Sequence, residues 1–388
     1  MTGARGNGAL SGLRIIEMGG IGPAPFAAMM LADHGAEVIR IDRPGGGHYY
    51  SPKDVLNRNR RSIAVDLKSS CGVDVVRDLC RSADGLIEGF RPGVMERMGL
   101  GPEVIRADNP RLVYGRVTGW GQVGPYAAMA GHDINYLAIT GALHACGRAG
   151  EQPTVPLNLV GDFGGGGMML AFGMVSAILN VRSGGEGQVI DCAMVDGAST
   201  LMAMIWRFRA EGRWQDERGV NFLDSGAPYY DCYETADGRY VAIGAIEPQF
   251  YQELREKLGL ADDTDFDIQN DRAIWPMRKA RLAEIFRTRT RDEWSEIFVG
   301  SDACFAPVLA MAEAPDHPQI AGRQALIEVD GIMQPAPSPR FAGTPAERPC
   351  PPRYPGQDSA AVLSDLGYPA ERIAALMTDG TVAAAVGT

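Results

Sequence analysis

Residues 13–44 read LRIIEMGGIGPAPFAAMMLADHGAEVIRIDRP, and this stretch decides the fold class. Arg14 to Met18 is a short apolar run with strand character, Gly19 to Pro25 is a Gly/Pro turn, and the Ala/Met-rich segment to about Asp33 is helical. Ala36 to Asp42 forms the next strand. Strand, helix and strand within about 30 residues is a βαβ unit with parallel strands. Gly20-Ile21-Gly22, with Asp42 twenty residues after Gly22, has the spacing of a dinucleotide fingerprint. Pro25 stands where the third glycine belongs and Arg43-Pro44 follows the acid, which argues against a nicotinamide enzyme.

The alternation continues outward. Strands are expected at Ser62 to Leu67, Gly85 to Gly89, Leu112 to Val117 and Gln188 to Cys192, with a helix at Val73 to Cys80, so the first domain is α/β with a doubly wound, Rossmann-like sheet. Leu201, Met204, Ile205 and Phe208 then recur at i, i+3, i+4, i+7, which predicts a helix with a buried face leading out of this domain. In YYDCYETADGRYVAIGAI (229–246) an Asp237-Gly238 turn separates two strand-like runs and opens a smaller α+β domain, helical to about Phe298. Residues 334–357 are too proline-rich for regular structure and read as an extended connection. A last helix pair, DSAAVLSDLG and PAERIAALMTDG, is expected to pack back on the first domain. The boundaries read are 1–190 for the first part of the large domain, 191–225 for a linker helix, 226–300 for the small domain, 301–325 for a returning linker and 326–388 for the completing segment.

Composition excludes several classes. A chain of 388 residues, 45% hydrophobic and 22% charged, buries two or three domain cores without disulfide support. Its most apolar stretch, Met168 to Val181, is short and carries Gly173, Ser176 and Asn180, so no membrane span is expected. A net charge of -11 argues against a nucleic-acid partner. The seven cysteines (71, 80, 146, 192, 232, 304, 350) are scattered without a CxxC pair, which suggests neither a disulfide framework nor a metal site. The N-terminal MTGARGNGALSG lacks an apolar secretory core and the C-terminal AAAVGT is no sorting tag, so a reducing, cytoplasmic location is expected.

Five histidines (34, 48, 132, 144, 317) limit the candidates for imidazole acid/base work. His132 stands out in AGHDINY (130–136), after the turn-rich Gly119 to Pro125, although His132 or Asp133 equally suits a helix cap. Asp162, in LNLVGDF (157–163), precedes Gly164 to Gly167 and a helix from Met168 to Leu179. A carboxylate suits that helix start structurally, while free N–H groups there stabilise an oxyanion and the glycines let a ligand approach. Glu247, in GAIEPQF (244–250), reads as a candidate acid or as a surface residue at a helix start. The cluster Asn57-Arg58-Asn59-Arg60-Arg61, with Lys68, Arg91 and Arg97, is either a solvated face or a polyphosphate site. Met168, Met169, Met194, Met202 and Met204 are either helix core or an adaptable acyl surface.

The segments NRNRRSIAVDLKS, DGLIEGFRPGVMERMGLGP, GWGQVGPYAAMAGHDINY, LNLVGDFGGGGM, GQVIDCAMVDG and DGRYVAIGAIEPQFY, with the opening stretch, resemble the family III CoA-transferase (CaiB/BaiF) superfamily and, within it, the α-methylacyl-CoA racemases. The resemblance covers nearly the whole chain. It implies an interlocked homodimer of large CoA-binding and small domains, acting on a 2-methylacyl-CoA without a separate cofactor. It further implies that His132 and Asp162 are acid/bases on opposite faces of the substrate α-carbon and that Glu247 orients the histidine. CoA and substrate contacts fall on Arg43, Val65, Asp66, Leu67, Lys68, Gly89, Phe90, Arg91, Arg97, Gly131, Asp133, Ile134, Asn135 and Tyr136. Two rivals remain: a CoA transferase in which Asp162 attacks the acyl-CoA, and a catalytically silent acyl-CoA-binding protein.

Overall fold

The computed structural model describes residues 8–46 and 51–385; His48 and the N-terminal seven residues of the MTGARGN segment lie outside them. Strands β1 (Arg14–Met18), β2 (Glu37–Asp42), β3 (Arg60–Val65), β4 (Gly85–Glu88), β5 (Val113–Thr118) and β6 (Val189–Ala193) come first. They are followed by β7 (Tyr230–Glu234), β8 (Tyr240–Gly244), β9 (Phe305–Val308), β10 (Leu326–Val329), β11 (Ile332–Pro335) and the terminal β12 (Val382–Ala383). The helices that build the core or the site are α1 (Pro23–Asp33), α2 (Ser70–Arg81), α3 (Asp133–Ala138), α4 (Met169–Arg182), α5 (Met194–Leu201), α6 (Ala203–Ala210), α7 (Pro248–Lys257), α8 (Ser359–Asp365) and α9 (Ala370–Thr378).

The chain divides into two compact units, one of 1–140, 157–201 and 324–388, the other of 141–156 and 202–323. The first is α/β, built on a sheet of order β12-β3-β2-β1-β4-β5-β6. Only the β12–β3 pairing is antiparallel; β1 to β6 run parallel. Successive side chains of a strand point to opposite faces, so Ile15 packs with α1 and α4 while Ile16 packs with α2, α8 and α9. Both faces are therefore buried, as a parallel sheet requires. Strand order reverses direction between β1 and β4, and such a sheet leaves its ligand crevice outside the carboxyl ends of the strands at that point.

Three features depart from the sequence reading. A π-helical segment, Leu159–Met168, runs straight into α4, so the helix starts nine residues before Met168 and absorbs the glycine run expected to precede it. The whole helix has 24 residues and a most apolar window of mean hydropathy 1.5, enough by length and composition to cross a bilayer, with half of that window buried in the fold. Second, the buried face expected from Leu201 to Phe208 is divided between α5 and α6, and within one chain only Phe208 is buried; Leu201 and Met204 are each 50% exposed. Periodicity reports that a face is apolar, not which chain covers it. Third, 141–156 belongs with the second unit, held there by an Arg148–Asp231 ion pair of 2.5 Å and by Arg218, which donates to the carbonyls of His144 and Glu151.

The second unit holds the antiparallel sheet β7-β8-β9, entered through the expected hairpin with Gly238 at φ 69°. Aromatic side chains, among them Tyr229, Phe266, Trp275, Phe286 and Trp294, fill its core. In the first unit, β10 and β11 form a hairpin about Asp330-Gly331, both at positive φ, and 336–357 then run without helix or strand as the proline content predicts. Arg58 fastens this return: it donates to Gln334 and the Pro335 carbonyl while pairing with buried Asp33.

Candidate active site

Parallel strands bring distant segments to one edge. Arg43 follows β2, Val65 ends β3 with Asp66, Leu67 and Lys68 in the turn after it, and Gly89, Phe90 and Arg91 follow β4. Arg97 ends the short helix Val94–Arg97. Val65 is buried, and Leu67 and Phe90 pack on the core beneath, so at these positions the backbone is what faces outward. Arg43, Lys68, Arg91 and Arg97 are exposed and, among the described residues, form no ion pair. In an acidic protein these are the cations available to an anionic ligand.

The 57–61 cluster serves otherwise. It sits at the amino end of β3, away from the carboxyl edge, and its charges are consumed internally: Arg58 pairs with Asp33, Arg60 with fully buried Glu17, and Arg61 with Glu37 and Asp365. Buried guanidinium groups must be paired or they cost several kcal/mol, so these arginines hold the fold and offer nothing to a polyphosphate.

The long β5–β6 connection carries His132 and Asp162. His132 is the exposed N-cap residue of α3; Asn135 Oδ1 accepts its backbone N–H at 3.0 Å. Ile134 and Asn135 are exposed, while Tyr136 is buried with its ring edge-on to Trp120 and its hydroxyl donating to the Gly131 carbonyl. Burial, then the charges of Asp162 and Asp133, push the Tyr136 phenol up to about 12, against the pull of Arg91. The other described histidines are engaged elsewhere: His34 meets the Ser338 carbonyl, His144 the Asp216 carbonyl and His317 the Gln319 amide.

Asp162 lies on the first turn of the long helix. Its carboxylate accepts from Asn158 at 3.3 Å and lies beside the β1–α1 loop, where a Cβ added at Gly22 would stand 3.7 Å from it. Burial is the main cause that lifts the Asp162 carboxyl above the ordinary carboxylate range; the negative charge of Asp133 adds to this, and the Asn158 bond and the His132 charge oppose it. Two sequence expectations change here. The Asp162 N–H is already taken, donating to Asp133 Oδ2 at 2.7 Å, and so is not free for an oxyanion. The glycines after it admit protein rather than ligand: a Cβ at Gly165 would meet the Ala198 amide at 2.8 Å, and at Gly167 the Phe26 ring at 2.6 Å. Close packing of α1 and α5 on this helix requires them.

Asp133, expected to touch substrate, is 6% exposed and faces the helix that carries Asp162. No sequence signal separates an inward-facing acid at the first position of a helix from an outward-facing one. Glu247 belongs to the second unit as the exposed N-cap residue of α7, and its carboxylate makes no capping bond. Of the five methionines, Met194 is buried and Met169 packs on the core, whereas Met168 and Met204 are about half exposed. Among the described residues no cluster of three or more His, Cys, Asp or Glu is gathered as a metal site would need.

The doubly wound sheet carries, at its carboxyl edge, cations that form no ion pair among the described residues, with His132 and Asp162 on the connection after β5, and the chain belongs to CoA-transferase family III, whose model matches residues 10–359. Within that family it is 45% identical over 377 residues to the mouse alpha-methylacyl-CoA racemase, covering 96% of this chain and 97% of that one; for the human racemase the identity is 44% over 376 residues, with the same coverage. Human succinyl-CoA:glutarate CoA-transferase is more distant, 28% identical over 96% of this chain and 90% of its own length. The crystal structure of a CaiB/BaiF family protein from Brucella suis superposes with a TM-score of 0.79 at 26% identity, covering 93% of this chain and 100% of that one.

Proposed function

We propose that this enzyme is an α-methylacyl-CoA racemase, interconverting (2R)- and (2S)-2-methylacyl-CoA thioesters by proton transfer at the α-carbon. The observation that carries the reading is that exposed His132 lies near enough to half-buried Asp162 for its charge to act on that carboxyl, which burial holds above the usual range, on packed helices of one unit. Inversion removes a proton from one face of a planar enolate and returns one to the other, so it requires two groups that exchange roles. Asp162 takes the α-proton on one face as His132, in its imidazolium form, delivers a proton on the other. In the reverse direction the roles swap. A carboxyl with a raised pKa is suited to hold a proton as well as to take one. The positive end of the helix that starts at Leu159 stabilises charge on the thioester oxygen. No resident cofactor is required, because CoA is part of the substrate.

Arg43, Lys68, Arg91 and Arg97 bind the CoA phosphates in this reading, and the backbone at Val65 to Leu67 and at Gly89 and Phe90 lines its path. The working form is a homodimer, interlocked so that Glu247 orients His132 of the other copy. Support for a second copy comes from apolar surface that one chain leaves open: Met168, Phe172, Val175 and Leu179, spaced 4, 3 and 4 residues apart, form one outward stripe, and Leu201, Met204 and Trp206 lie on the two helices after β6. The test offers a single enantiomer of a 2-methylacyl-CoA in deuterated water, without an acceptor acid, and follows α-deuterium and configuration by NMR. Deuterium uptake with inversion is expected. A bound substrate that neither exchanges nor inverts, but passes its CoA to an added carboxylic acid, makes the protein a transferase acting through Asp162.

A further inference from the structure

Asp133 carries a carboxylate that the two-base reaction does not use. It occupies the first position of α3, next to His132, and is 6% exposed. Oδ2 accepts the Asp162 N–H at 2.7 Å across 29 positions of sequence, whereas Oδ1 is buried without a hydrogen-bond partner among the described residues. Residue 161 is a glycine for a local reason: a Cβ there would lie 2.4 Å from Asp133 Oδ2. Any side chain at 161 displaces the carboxylate and breaks its bond.

Stability alone does not account for this arrangement. Oδ1 gains nothing from its burial: among the described residues it has no hydrogen-bond partner, and a buried polar atom without one is destabilising. Resting on the two-base reading, we propose that Asp133 is a positioning residue: its bond to the Asp162 amide ties the peptide that carries one acid/base to the peptide that carries the other, and Gly161 is glycine so that this bond can form. The distance between imidazole and carboxylate is then set by one short, buried contact rather than by two independent loops.

The charge of Asp133 has a separate consequence. The titratable groups that act on Asp162 are Asp133 and His132; Tyr136, from the same α3, feels Asp162 in turn. The elements packed on the Asp162 segment bring Gly22, Pro23 and Phe26 from the β1–α1 side and Met194 and Gly197 from α5, none of them charged. Removing the Asp133 charge therefore leaves Asp162 easier to ionise.

Five proteins test the proposal, each first shown to fold by circular dichroism and thermal unfolding: wild type, Asp133→Ala, Asp133→Asn, Gly161→Ala and the Asp133→Ala/Gly161→Ala double variant. Displacement of a catalytic group by about 1 Å costs on the order of 100-fold, so Asp133→Ala and Gly161→Ala are expected to lower kcat by about that factor with little change in KM. The double variant is expected to lose no more than either single one, because both remove the same contact. Asp133→Asn keeps the acceptor, recovers most of the kcat lost in Asp133→Ala, and moves the acid limb of the kcat/KM profile to lower pH. Losses that multiply in the double variant, or an Asp133→Ala enzyme with wild-type kcat, overturn the proposal while the two-base reading stands. Wild type that takes up no α-deuterium overturns both. If Asp133→Ala does not fold, Gly161→Ala and Asp133→Asn decide alone: wild-type kcat in the former, or a loss of kcat in the latter as large as in Gly161→Ala, overturns the proposal.

Discussion

Replacing Phe172 with serine tests the association of two chains most directly, because the side chain is 72% exposed within one chain and the rest of α4 is anchored by Leu170, Met174, Ile178 and Val181. Full burial of a phenylalanine is worth roughly 1.5–3 kcal/mol, and covering its exposed 72% is thus worth about 1–2 kcal/mol per chain. A symmetric dimer contains the residue twice, which gives about 2–4 kcal/mol per dimer, or a dimer dissociation constant weakened roughly 30- to 700-fold. Sedimentation equilibrium over a dilution series measures this, at a urea concentration that brings wild-type dissociation into range. The folding of the separated chain, followed by circular dichroism, is expected to be unchanged because the monomer loses no buried contact. A wild-type chain that is monomeric at every concentration, or a Phe172→Ser dimer as tight as wild type, refutes the assignment of this stripe to a second copy.

Further outcomes follow from the site and its supports. His132→Ala is expected to reduce inversion by about 10²–10⁴-fold while α-deuterium exchange of the enantiomer facing Asp162 persists; a variant that inverts at the wild-type rate removes His132 from the reaction. Because burial raises the folded-state pKa of Asp162, its ionisation opposes folding: the penalty is absent below the unfolded value of about 3.9 and complete once pH exceeds the folded value. Asp162→Asn is accordingly expected to melt higher than wild type at pH 7 and equally at about pH 3.5; a lower melting temperature at pH 7 contradicts the sign. A Cβ on Gly197 would stand 1.9 Å from the Gly165 carbonyl oxygen, so Gly197→Ala is expected to cost about 1–3 kcal/mol in denaturant unfolding by forcing the Asp162-bearing helix away from α5.

What makes Asp133 informative is that its two oxygens behave differently. One accepts the Asp162 amide from a neighbouring helix, and the other has no partner among the described residues. Enzymes hold reactive groups in place through supporting contacts of this kind, and they accept unsatisfied polar atoms mainly where function requires them. The same site shows why a glycine run is ambiguous in sequence. Gly161 leaves room for a carboxylate, whereas Gly165 and Gly167 leave room for neighbouring helices.

The sequence by itself determined the local alternation and its class. Apolar runs separated by Gly/Pro turns place β1, α1 and β2 almost to the residue, the Asp237-Gly238 turn forecasts the β7–β8 hairpin, and the proline content of 334–357 forecasts the connection without regular structure that begins at 336, after β11 has taken Gln334 and Pro335. These features depend on neighbours along the chain, where backbone stereochemistry and hydrophobic periodicity act. It also raised His132 as a candidate through its polar cluster after a turn-rich segment, and Asp162 through its place before a glycine run at a helix start. Only the tertiary structure decided which charges are consumed and which remain available. Arg58 and Arg60 sit in the most basic stretch yet are bound to Asp33 and Glu17, 25 and 43 residues away, while Arg43 and Arg91, at the carboxyl edge, form no ion pair among the described residues. Only the tertiary structure turned Asp133 inward onto the Asp162 amide and left the Leu201 to Trp206 face uncovered by its own chain. Pairing, burial and exposure are contacts between residues far apart in sequence, and a linear pattern contains the residue types but not the distances between them.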